Sequence, residues 1–537
     1  KINECPRETP LTFKETQAGP NAAWWRDASK IERKMLFHKG AVKTVPPSEV
    51  NDILKAGHKI FTGKNALRQK FDETNRLTKF KSRATLRGFE QIFGKHFHDT
   101  FAAVANATSI RLILALAVGN KLNVHQVDVV GAFLNSTSKV KLFQMAPDGL
   151  RLYLNELWEV LASLYGTRPA ARDWQEAFVR ALLEFGFRPA TSDHTVFVMR
   201  EGSKYMIIAS WVDDSIVAEN WDVMFQKLRT FLHKRFETQE LGFISWYLGV
   251  HYEFNADRSV MVATQKAYLE KLFDRYGITT AVKTPMEETF KIKPEDIPET
   301  VDLKIQTEFR ELLGSEIFVA GWSRPDITYH VITLARFAAN PPAKALAALK
   351  RILRYLYGTQ DLGIGYTSNV KEMRGLKLNE LGTYVDASHA DDLITRKSTM
   401  GYQVWLNGGV ISWRSKLTPI VCTSTTDAEY VSACFAAMET IHLRQLMAAL
   451  GFPQEHPTQM FEDNEACIVL AGDAVHRDRT KHIDIRFHYL RERVRDQMLQ
   501  MIKVSSSQQL ADAMTKAAGA TIFIRLRDEY MRSRDRL

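Results

Sequence analysis

The amino-acid sequence predicts a multidomain protein of mixed α+β and α/β class. Its 537 residues are more than one domain usually holds, so two to four domains are expected. Residues 205–218 contain two short runs of β-forming residues around a polar pair, which is typical of a tight hairpin. From residue 381 onward, three strand patterns come first and helices then alternate with strands, which predicts a second, mixed sheet.

The polar pair of the predicted hairpin is Asp213-Asp214, between strand patterns at residues 205–210 and 215–218. Two adjacent carboxylates repel each other and are hard to bury. They are favourable if they hold a divalent cation, because hard cations such as Mg²⁺ take oxygen ligands. The alternative is an ordinary surface turn, since Asp is a common turn residue.

A third carboxylate is predicted to join this pair. In residues 124–135 a strand ends at Asp128 and a helical turn begins. An Asp at a strand end, placed beside an Asp-Asp hairpin, gives the three carboxylates that a two-metal nucleotidyl transferase needs. In such enzymes one ion activates the attacking 3′-hydroxyl and the other stabilises the leaving pyrophosphate.

With these motifs in this order, the chain from about residue 10 to its end resembles the reverse transcriptase and RNase H portion of a copia-type LTR retrotransposon Gag-Pol polyprotein. The resemblance implies a right-hand polymerase with fingers and palm in residues 1–275. It further implies a helical thumb or connection in residues 276–375 and an RNase H-like domain in residues 376–537. The implied activities are RNA-directed and DNA-directed DNA synthesis and hydrolysis of RNA in RNA–DNA hybrids, with two Mg²⁺ (or Mn²⁺) ions per active site.

The resemblance also indicates substrate-binding residues in the polymerase portion. Residues 80–91 resemble a basic fingers segment that contacts the incoming triphosphate and template, with Lys81, Arg83 and Arg87 as candidates. A solvated charged strand is the alternative. Here Ala84-Thr85 replaces the usual Leu-Val.

Residues 161–174 resemble the motif that positions template and nucleotide, with Gly166 and Arg168 as candidates. Thr167-Arg168-Pro169 replaces the usual Leu-Lys-Gln, and Pro169 cannot supply the hydrogen bond of the Gln. Phe133, five residues after Asp128, matches the aromatic steric gate that reverse transcriptases use to favour deoxynucleotides. Alternatively Phe133 only packs the palm, as most Phe side chains do.

The second predicted sheet carries its own acids. Strands are expected at residues 381–386, 400–406, 410–414, 458–462 and 498–504, with a long helix at 426–450, in the order of an RNase H-like fold. Asp386 and Asp463 end strands, Glu429 lies in the first turn of the long helix and Asp512 in the last helix. Convergence of these four acids gives an oxygen-lined pocket for two Mg²⁺ ions. Glu462 is predicted not to be a ligand. Residues 480–488 match a family signature whose histidines either organise substrate or cap a helix.

The net charge, cysteine content and hydrophobic pattern of the chain are compatible with a nucleic-acid partner but do not require one. The net charge of +10 suits a polyanion, although a basic enzyme of another kind would have a similar charge. The four cysteines lack the spacing of a disulfide framework, which favours an intracellular protein: Cys5, Cys422, Cys434 and Cys467. No apolar run reaches the ~18 residues of a membrane span, and the chain begins without an initiator Met or signal peptide, as expected for a piece of a longer protein.

The expected partners are therefore an RNA template, a DNA primer, RNA–DNA hybrids and dNTPs, with the element's integrase and Gag particle as further candidates and no membrane. The expected location is a cytoplasmic virus-like particle or the nucleus, and not the secretory route. An alternative of a different class is a decayed or repurposed element copy that binds nucleic acid without chemistry. The intact acids argue against that alternative, whereas the departures at residues 84–85 and 167–169 argue for some decay.

Overall fold

The computed structural model describes residues 2, 5–10, 12–72, 76–472 and 484–537. The helices in chain order are α1 (Phe13–Ala18), α2 (Ala22–His38), α3 (Val50–Lys55), α4 (Ala107–Gly119), α5 (Ala170–Phe185), α6 (Asp222–Phe236), α7 (Lys266–Tyr276), α8 (Leu303–Trp322), α9 (Thr328–Ala335), α10 (Ala343–Tyr357), α11 (Thr425–Ala449), α12 (Glu465–Gly472), α13 (Asp484–Arg495) and α14 (Ala520–Tyr530).

The strands in chain order are β1 (Val42–Val45), β2 (Ile60–Phe61), β3 (Gly63–Phe71), β4 (Leu77–Leu86), β5 (Asn123–Val129), β6 (Thr137–Met145), β7 (Leu157–Ala162), β8 (Arg188–Pro189), β9 (Val196–Glu201), β10 (Lys204–Trp211), β11 (Asp214–Glu219), β12 (Thr238–Phe243), β13 (Trp246–Tyr247), β14 (Val250–Phe254), β15 (Val260–Thr264), β16 (Leu362–Thr367), β17 (Gly382–Ser388), β18 (Thr399–Leu406), β19 (Gly409–Leu417), β20 (Thr458–Glu462), β21 (Leu499–Lys503) and β22 (Met531–Ser533).

Both predicted sheets are present, which confirms the mixed fold class. The first has the order β12-β5-β11-β10-β9-β8, and its contiguous neighbours are antiparallel. The second has the order β19-β18-β17-β20-β21, with three antiparallel strands followed by two parallel pairings. The chain also forms a four-stranded sheet (β1-β7-β6-β2), the ribbon β3-β4 and a further sheet, β13-β14-β15-β16-β22. Strands β6 and β7 of the four-stranded sheet lie in the chain between β5 and β8 of the first sheet. None of the described helices is both long enough and apolar enough to cross a membrane.

Turns and helix caps follow signals that can be read directly from the sequence, Asn-Gly for a type I′ hairpin turn and Ser for a helix N-cap. Asn407 and Gly408 both adopt positive φ, +47° and +74°, as a type I′ turn between β18 and β19 requires. The Ser424 side chain accepts a hydrogen bond from the backbone N–H of Asp427 and so caps α11. Gly451 follows that helix with φ +91°.

The helical region implied for residues 276–375 begins at the last residue of α7 and contains α8, α9 and α10, with a short 3-10 turn at Pro325–Ile327 between α8 and α9. The expected last helix is a 3-10 helix at Leu510–Met514, followed separately by α14 and β22. Every residue of 109–119 in helix α4 is buried.

Helix α4 is buried all round because it lies between the two sheets. It contacts β11 and β10 of the first sheet and β19 and β18 of the second. The fully buried Arg111 donates hydrogen bonds to the carbonyls of Ile411 (2.7 Å) and Gly321 (2.7 Å), and its guanidinium lies 3.9 Å from the centre of the Trp413 ring. One apolar core extends from Ala105 to Leu499 across both sheets. The two halves are therefore packed as one body.

Replacing Arg111 with Met should lower the stability of the whole chain. The buried Ile411 carbonyl would lose its donor, at a cost of about 1–3 kcal/mol for an unsatisfied buried group, and the exposed Gly321 carbonyl would lose one hydrogen bond. We expect a clear drop in the thermal unfolding midpoint. The exposed Arg180, on α5, provides the matched control: Arg180→Met should leave the midpoint nearly unchanged. Equal midpoints for both variants would show that Arg111 does not join the two sheets.

Candidate active sites

The acid hairpin consists of β10, the turn Val212-Asp213 and β11. Its strands pair as far as Trp211 opposite Asp214, so the two-residue turn lies one position earlier than the Asp213-Asp214 pair suggests. Val212 has φ +55°, which is uncommon for a β-branched residue. Two hydrogen bonds hold this turn: Trp174 Nε1 donates to the Val212 carbonyl (2.6 Å) and the Val129 N–H donates to the Asp213 carbonyl (3.0 Å).

The structure places the three predicted acids of the polymerase portion at one end of the first sheet, but their carboxylate oxygens do not all lie within 4.8 Å of one another. Asp128 is directly opposite Asp214 in the β5–β11 pairing, and all three carboxylates, including that of Asp213, are half-buried. Burial, and then the charge of Asp213, raises the pKa of Asp128. Burial, and then the charges of Asp213 and Asp128, raises the pKa of Asp214 to about 6. Three carboxylates at this half-buried end of the sheet repel one another, and a divalent cation bound between them would relieve that repulsion.

A basic face of the β3–β4 ribbon lies near these acids. Lys81 is opposite Arg68 and Lys79 is opposite Lys70, and side chains alternate along each strand, so these cations share one face with Arg83. The charges of Lys81, Arg83 and Lys70 lower the pKa of Asp128 against the effect of burial. The predicted pair Lys81 and Arg83 is thus placed beside the acids, whereas Arg87 lies beyond the strand and is exposed. Lys70 lies on this face too and was not predicted, although the alternation of basic residues along β3, Arg68 and Lys70, indicates it.

Tyr165 is a second residue that the sequence analysis missed. The Arg83 guanidinium lies 4.6 Å from the centre of the Tyr165 ring, and the half-buried Phe133 ring lies 5.1 Å from it. Burial raises the pKa of the Tyr165 hydroxyl, and the charge of Asp213 raises it further. The three side chains form one contact group at the edge of the acid hairpin. No residue pattern in the sequence signalled it, because the group is assembled from three separate segments.

Gly166 and Arg168 make backbone contacts in the structure. Gly166 has φ +86°, and a Cβ added there would lie 2.2 Å from the Leu86 carbonyl oxygen, so the glycine permits close approach of two chains. Arg168 Nε donates to the Gly88 carbonyl (3.1 Å). Their predicted role in substrate binding stays a prediction.

The unusual residues at two motifs fit their surroundings. Ala84 is fully buried and its N–H donates to a Glu32 carboxylate oxygen (2.9 Å), so it faces the core. Pro169 stands at the start of α5, where a missing N–H costs nothing. Thr167 donates its hydroxyl to the Leu164 carbonyl (2.9 Å). The departures from the family pattern therefore leave the local backbone satisfied.

The second acid group lies at one edge of the second sheet. One carboxylate oxygen from each of Asp386, Glu429 and Asp463 lies within 4.8 Å of the others; in the ranges that the structure describes, this is the one group of three or more such ligands. Asp386 is in β17, Asp463 directly follows β20, and Glu429 is in the second turn of α11 rather than the first. Burial, and then the charge of Asp386, raises the pKa of Glu429, and its Oε2 has no hydrogen-bond partner. A cation fits this site, since it would pair with a buried, unpartnered carboxylate.

Asp512 joins the group through a lysine. Lys516 Nζ lies 2.8 Å from Asp512 Oδ1 and 4.0 Å from Asp386 Oδ2, and the Thr515 hydroxyl donates to Asp386. Burial, and then the charge of Asp386, raises the pKa of Asp512 to about 7. A short 3-10 helix at Leu510–Met514 positions this acid, where an α-helix was expected as the last helix.

Two further features border this group. Glu462 is fully buried and accepts the Asn464 N–H (2.9 Å); burial, and then the charge of Asp386, raises its pKa to about 8. It is not among the three clustered ligands, and its exclusion as a ligand stays a prediction. Of the family signature at residues 480–488, positions 480–483 lie outside the described residues.

Comparisons with known proteins show which family the chain resembles. Residues 52–288 match the family described as "Reverse transcriptase (RNA-dependent DNA polymerase)". The chain is 30% identical over 515 residues to a Pol polyprotein of transposon TNT 1-94 from Nicotiana tabacum, covering 94% of this chain and 38% of that relative. It is 30% identical over 321 residues to a putative transposon Ty5-1 protein of Saccharomyces cerevisiae, covering 58% of this chain and 100% of that protein.

A solved foamy viral protease-reverse transcriptase in complex with ds DNA is 12% identical, with a TM-score of 0.47 over 88% of this chain and 68% of that one. The chain spans less than two fifths of the tobacco polyprotein it matches. The family match, the tobacco polyprotein and the yeast relative together identify this chain as a member of the reverse transcriptase family, of the type found in copia-like retrotransposon Pol polyproteins.

Proposed function

We propose that the acid hairpin is the DNA polymerase site, which extends a DNA primer on RNA or DNA templates. The observation that carries this proposal is the pairing of Asp128 with Asp214 next to Asp213, under a ribbon face of lysines and arginines. A nucleoside triphosphate bound to metal carries both signs of charge: the acids attract its cations and the ribbon attracts its phosphates. Asp128, Asp213 and Asp214 would hold two Mg²⁺ or Mn²⁺ ions, which supply activation of the 3′-hydroxyl and charge neutralisation at the phosphates.

The chain's own residues would then bind and orient the nucleotide. Lys81 and Arg83 bind triphosphate oxygens, since both side chains lie near Asp128. The Tyr165 ring contacts both the Arg83 guanidinium and the Phe133 ring, and these contacts help to orient the two side chains. Phe133 borders the sugar and excludes a 2′-hydroxyl by shape.

The second acid group is proposed to hydrolyse RNA in RNA–DNA hybrids. Asp386, Glu429 and Asp463 converge within 4.8 Å, and Asp512 stands beside Asp386 through their shared lysine. These four acids would hold two divalent ions, which supply a water nucleophile and charge stabilisation at the scissile phosphate. The hybrid would be recognised by its backbone shape and 2′-hydroxyl groups.

The proposed domains correspond to three consecutive parts of the chain. Residues 1–275 would form fingers and palm, residues 276–375 the thumb or connection, and residues 376–537 the RNase H-like domain. The proposed partners are an RNA template, a DNA primer, RNA–DNA hybrids and dNTPs. A copy that binds nucleic acid without chemistry is the competing function, but the unusual residues at Ala84 and Pro169 are accommodated by the fold, so they do not favour it.

Primer extension tests the proposed function. A DNA primer annealed to a homopolymer RNA template is incubated with the complementary dNTP and Mg²⁺. Extension that a chelator abolishes supports the polymerase. Binding of the primer–template without any extension, in Mg²⁺ or Mn²⁺, supports the competing function.

Replacing Phe133 with Val tests the proposed steric gate. DNA synthesis should stay largely intact while ribonucleotide incorporation rises, because the smaller side chain leaves room for a 2′-hydroxyl. Selectivity changes by roughly tenfold for each 1.4 kcal/mol lost. The ratio of dNTP to rNTP incorporation efficiency is the measurement. Phe178, a buried residue of α5, is the matched control. Phe178→Val should lower stability and both incorporation rates together. An unchanged ratio in Phe133→Val would refute the gate.

A further inference from the structure

The segment between β4 and α4 exposes three phenylalanine rings, which we call the aromatic rim. Phe89, Phe93 and Phe101 are 72%, 70% and 74% exposed. Scattered apolar side chains are normal on a protein surface, but three nearly free phenyl rings within 13 residues are not. The ring of Phe93 is held edge-on to Phe97 (centroids 5.7 Å apart), so this ring is presented outward rather than left loose.

Both ends of this segment are anchored beside the polymerase acids. At its start, Gly88 approaches Gly166 so closely that an added Cβ would lie 2.1 Å from the Gly166 carbonyl oxygen, and Arg168 donates to the Gly88 carbonyl. At its end, the Ala105 N–H donates to the carbonyl of Ser210 (3.0 Å), one residue before the last residue of β10. Both ends of the segment that carries the aromatic rim therefore lie near the acid hairpin.

Cations surround the rings. Lys59, Arg87 and Lys95 are exposed. Burial lowers the pKa of His96, and the charges of Lys95 and Lys59 lower it further, so both ammonium groups lie close to this part of the segment.

The two acids nearby are engaged by other groups. Glu90 accepts hydrogen bonds from Thr62, including its N–H (3.2 Å), and Asp99 forms an ion pair with Arg172 (2.6 Å). The balance of charge at the aromatic rim is positive.

We infer that the aromatic rim binds the unpaired template strand ahead of the primer–template duplex, with bases stacked on the three rings and phosphates near Lys59 and Lys95. The inference rests on the proposed polymerase function, because it names the part of the substrate that the aromatic rim contacts. Aromatic rings interleaved with cations suit single strands, since an unpaired base offers its face to a ring and a paired base does not. Such binding is tolerant of sequence.

The test compares affinities for two primer–templates by fluorescence anisotropy. One is blunt, and the other carries a template overhang of about six nucleotides, within the range that one aromatic binding groove covers. The full chain should bind the overhang substrate more tightly. In Phe93→Ala and Phe89→Ala this advantage should fall, by roughly tenfold for each ring removed, while affinity for the blunt duplex stays constant. Phe93→Trp should restore it, because stacking needs only an aromatic face.

A matched control separates the aromatic rim from general surface effects. Leu152 is 76% exposed on the loop between β6 and β7, so Leu152→Ala removes a similarly free apolar side chain elsewhere. It should leave both affinities unchanged. An equal loss of overhang affinity in Leu152→Ala and Phe93→Ala would overturn the inference.

The remaining outcomes are decisive in the same way. Equal affinity of the full chain for both substrates, with primer extension intact, overturns the inference and leaves the polymerase function standing. An overhang advantage that depends on Phe93, in a chain that never extends a primer, supports the inference and contradicts the polymerase function. If Phe93→Ala instead abolishes self-association measured by light scattering, with overhang affinity unchanged, the rim is a contact between copies of the chain and the inference fails.

Discussion

Replacing Asp213 with Asn is expected to remove DNA synthesis while hydrolysis of RNA–DNA hybrids persists. The variant keeps the shape of the acid hairpin, since the hydrogen bond at this turn goes to the backbone carbonyl of residue 213. It loses one charged ligand of the proposed metal site. Metal stabilisation of a transferring phosphoryl group is worth several kcal/mol and each ~1.4 kcal/mol is tenfold, so synthesis should fall on the order of 10³-fold. Steady-state incorporation of one dNTP measures the effect.

Asp213→Asn should also change the pKa values of the neighbouring acids in the metal-free protein. The charge of Asp213 raises the pKa values of Asp128 and Asp214, so removing it should return both toward their ordinary range. The exposed Asp222, at the start of α6, supplies the control. Asp222→Asn should leave synthesis unchanged. Retention of more than about a tenth of the wild-type rate in Asp213→Asn would show that this carboxylate does not hold an essential ion.

Replacing Glu429 with Gln should have the reverse effect on the two activities. Hybrid hydrolysis should be lost, again on the order of 10³-fold, while primer extension continues. The metal-free protein should become more stable, because a buried carboxylate with an unpartnered oxygen and three acidic neighbours is replaced by a neutral side chain. RNA cleavage and the thermal midpoint in the presence of a chelator are the two measurements.

The pH dependence of this stabilisation has a defined sign. Burial raises the pKa of Glu429 above its unfolded value of 4.5, so the folded metal-free protein holds a proton that the unfolded chain releases. The contribution of this group to stability is thus present below pH 4.5 and is lost progressively as the pH rises above it. In Glu429→Gln this part of the slope should be absent, while the parts due to the raised pKa values of Asp214, Glu462 and Asp512 remain. The exposed Glu465, on α12, serves as control: Glu465→Gln should keep both the slope and the nuclease. A midpoint that falls in Glu429→Gln would contradict the account of a repelling buried acid.

The parts of the fold that the sequence predicted are those determined locally. The Asn407-Gly408 turn and the Ser424 cap depend on residues within one turn of themselves, and the structure has both. Helix α4 shows the limit of such reasoning. Its apolar residues fit a helix with one buried face, but its burial on all sides requires a second sheet some 290 residues later, where Asn407 donates to the Ala115 carbonyl.

In the candidate sites, too, residues with a local signal could be predicted and residues that depend on distant segments could not. Several acids could be identified because they lie close to a predicted strand end, turn or helix start, and the structure brings Asp386, Glu429 and Asp463 within 4.8 Å of one another. Tyr165 could not, because its importance comes from contacts with Arg83 and Phe133, which lie on other segments. Nor could the 3-10 geometry around Asp512 be foreseen, since Lys516 and Thr515 determine its surroundings through tertiary contacts.

The central claim is that one packed body carries two acid sites with separate chemistry. It is tested by following both strands of one substrate, an RNA template with one dye annealed to a DNA primer with another. DNA extension and RNA shortening are recorded together for the wild-type chain, Asp213→Asn and Glu429→Gln. The account predicts extension and shortening in the wild type, shortening alone in Asp213→Asn and extension alone in Glu429→Gln. Loss of both signals in either variant, in a protein whose circular dichroism spectrum and unfolding midpoint show it to be folded, would contradict the claim.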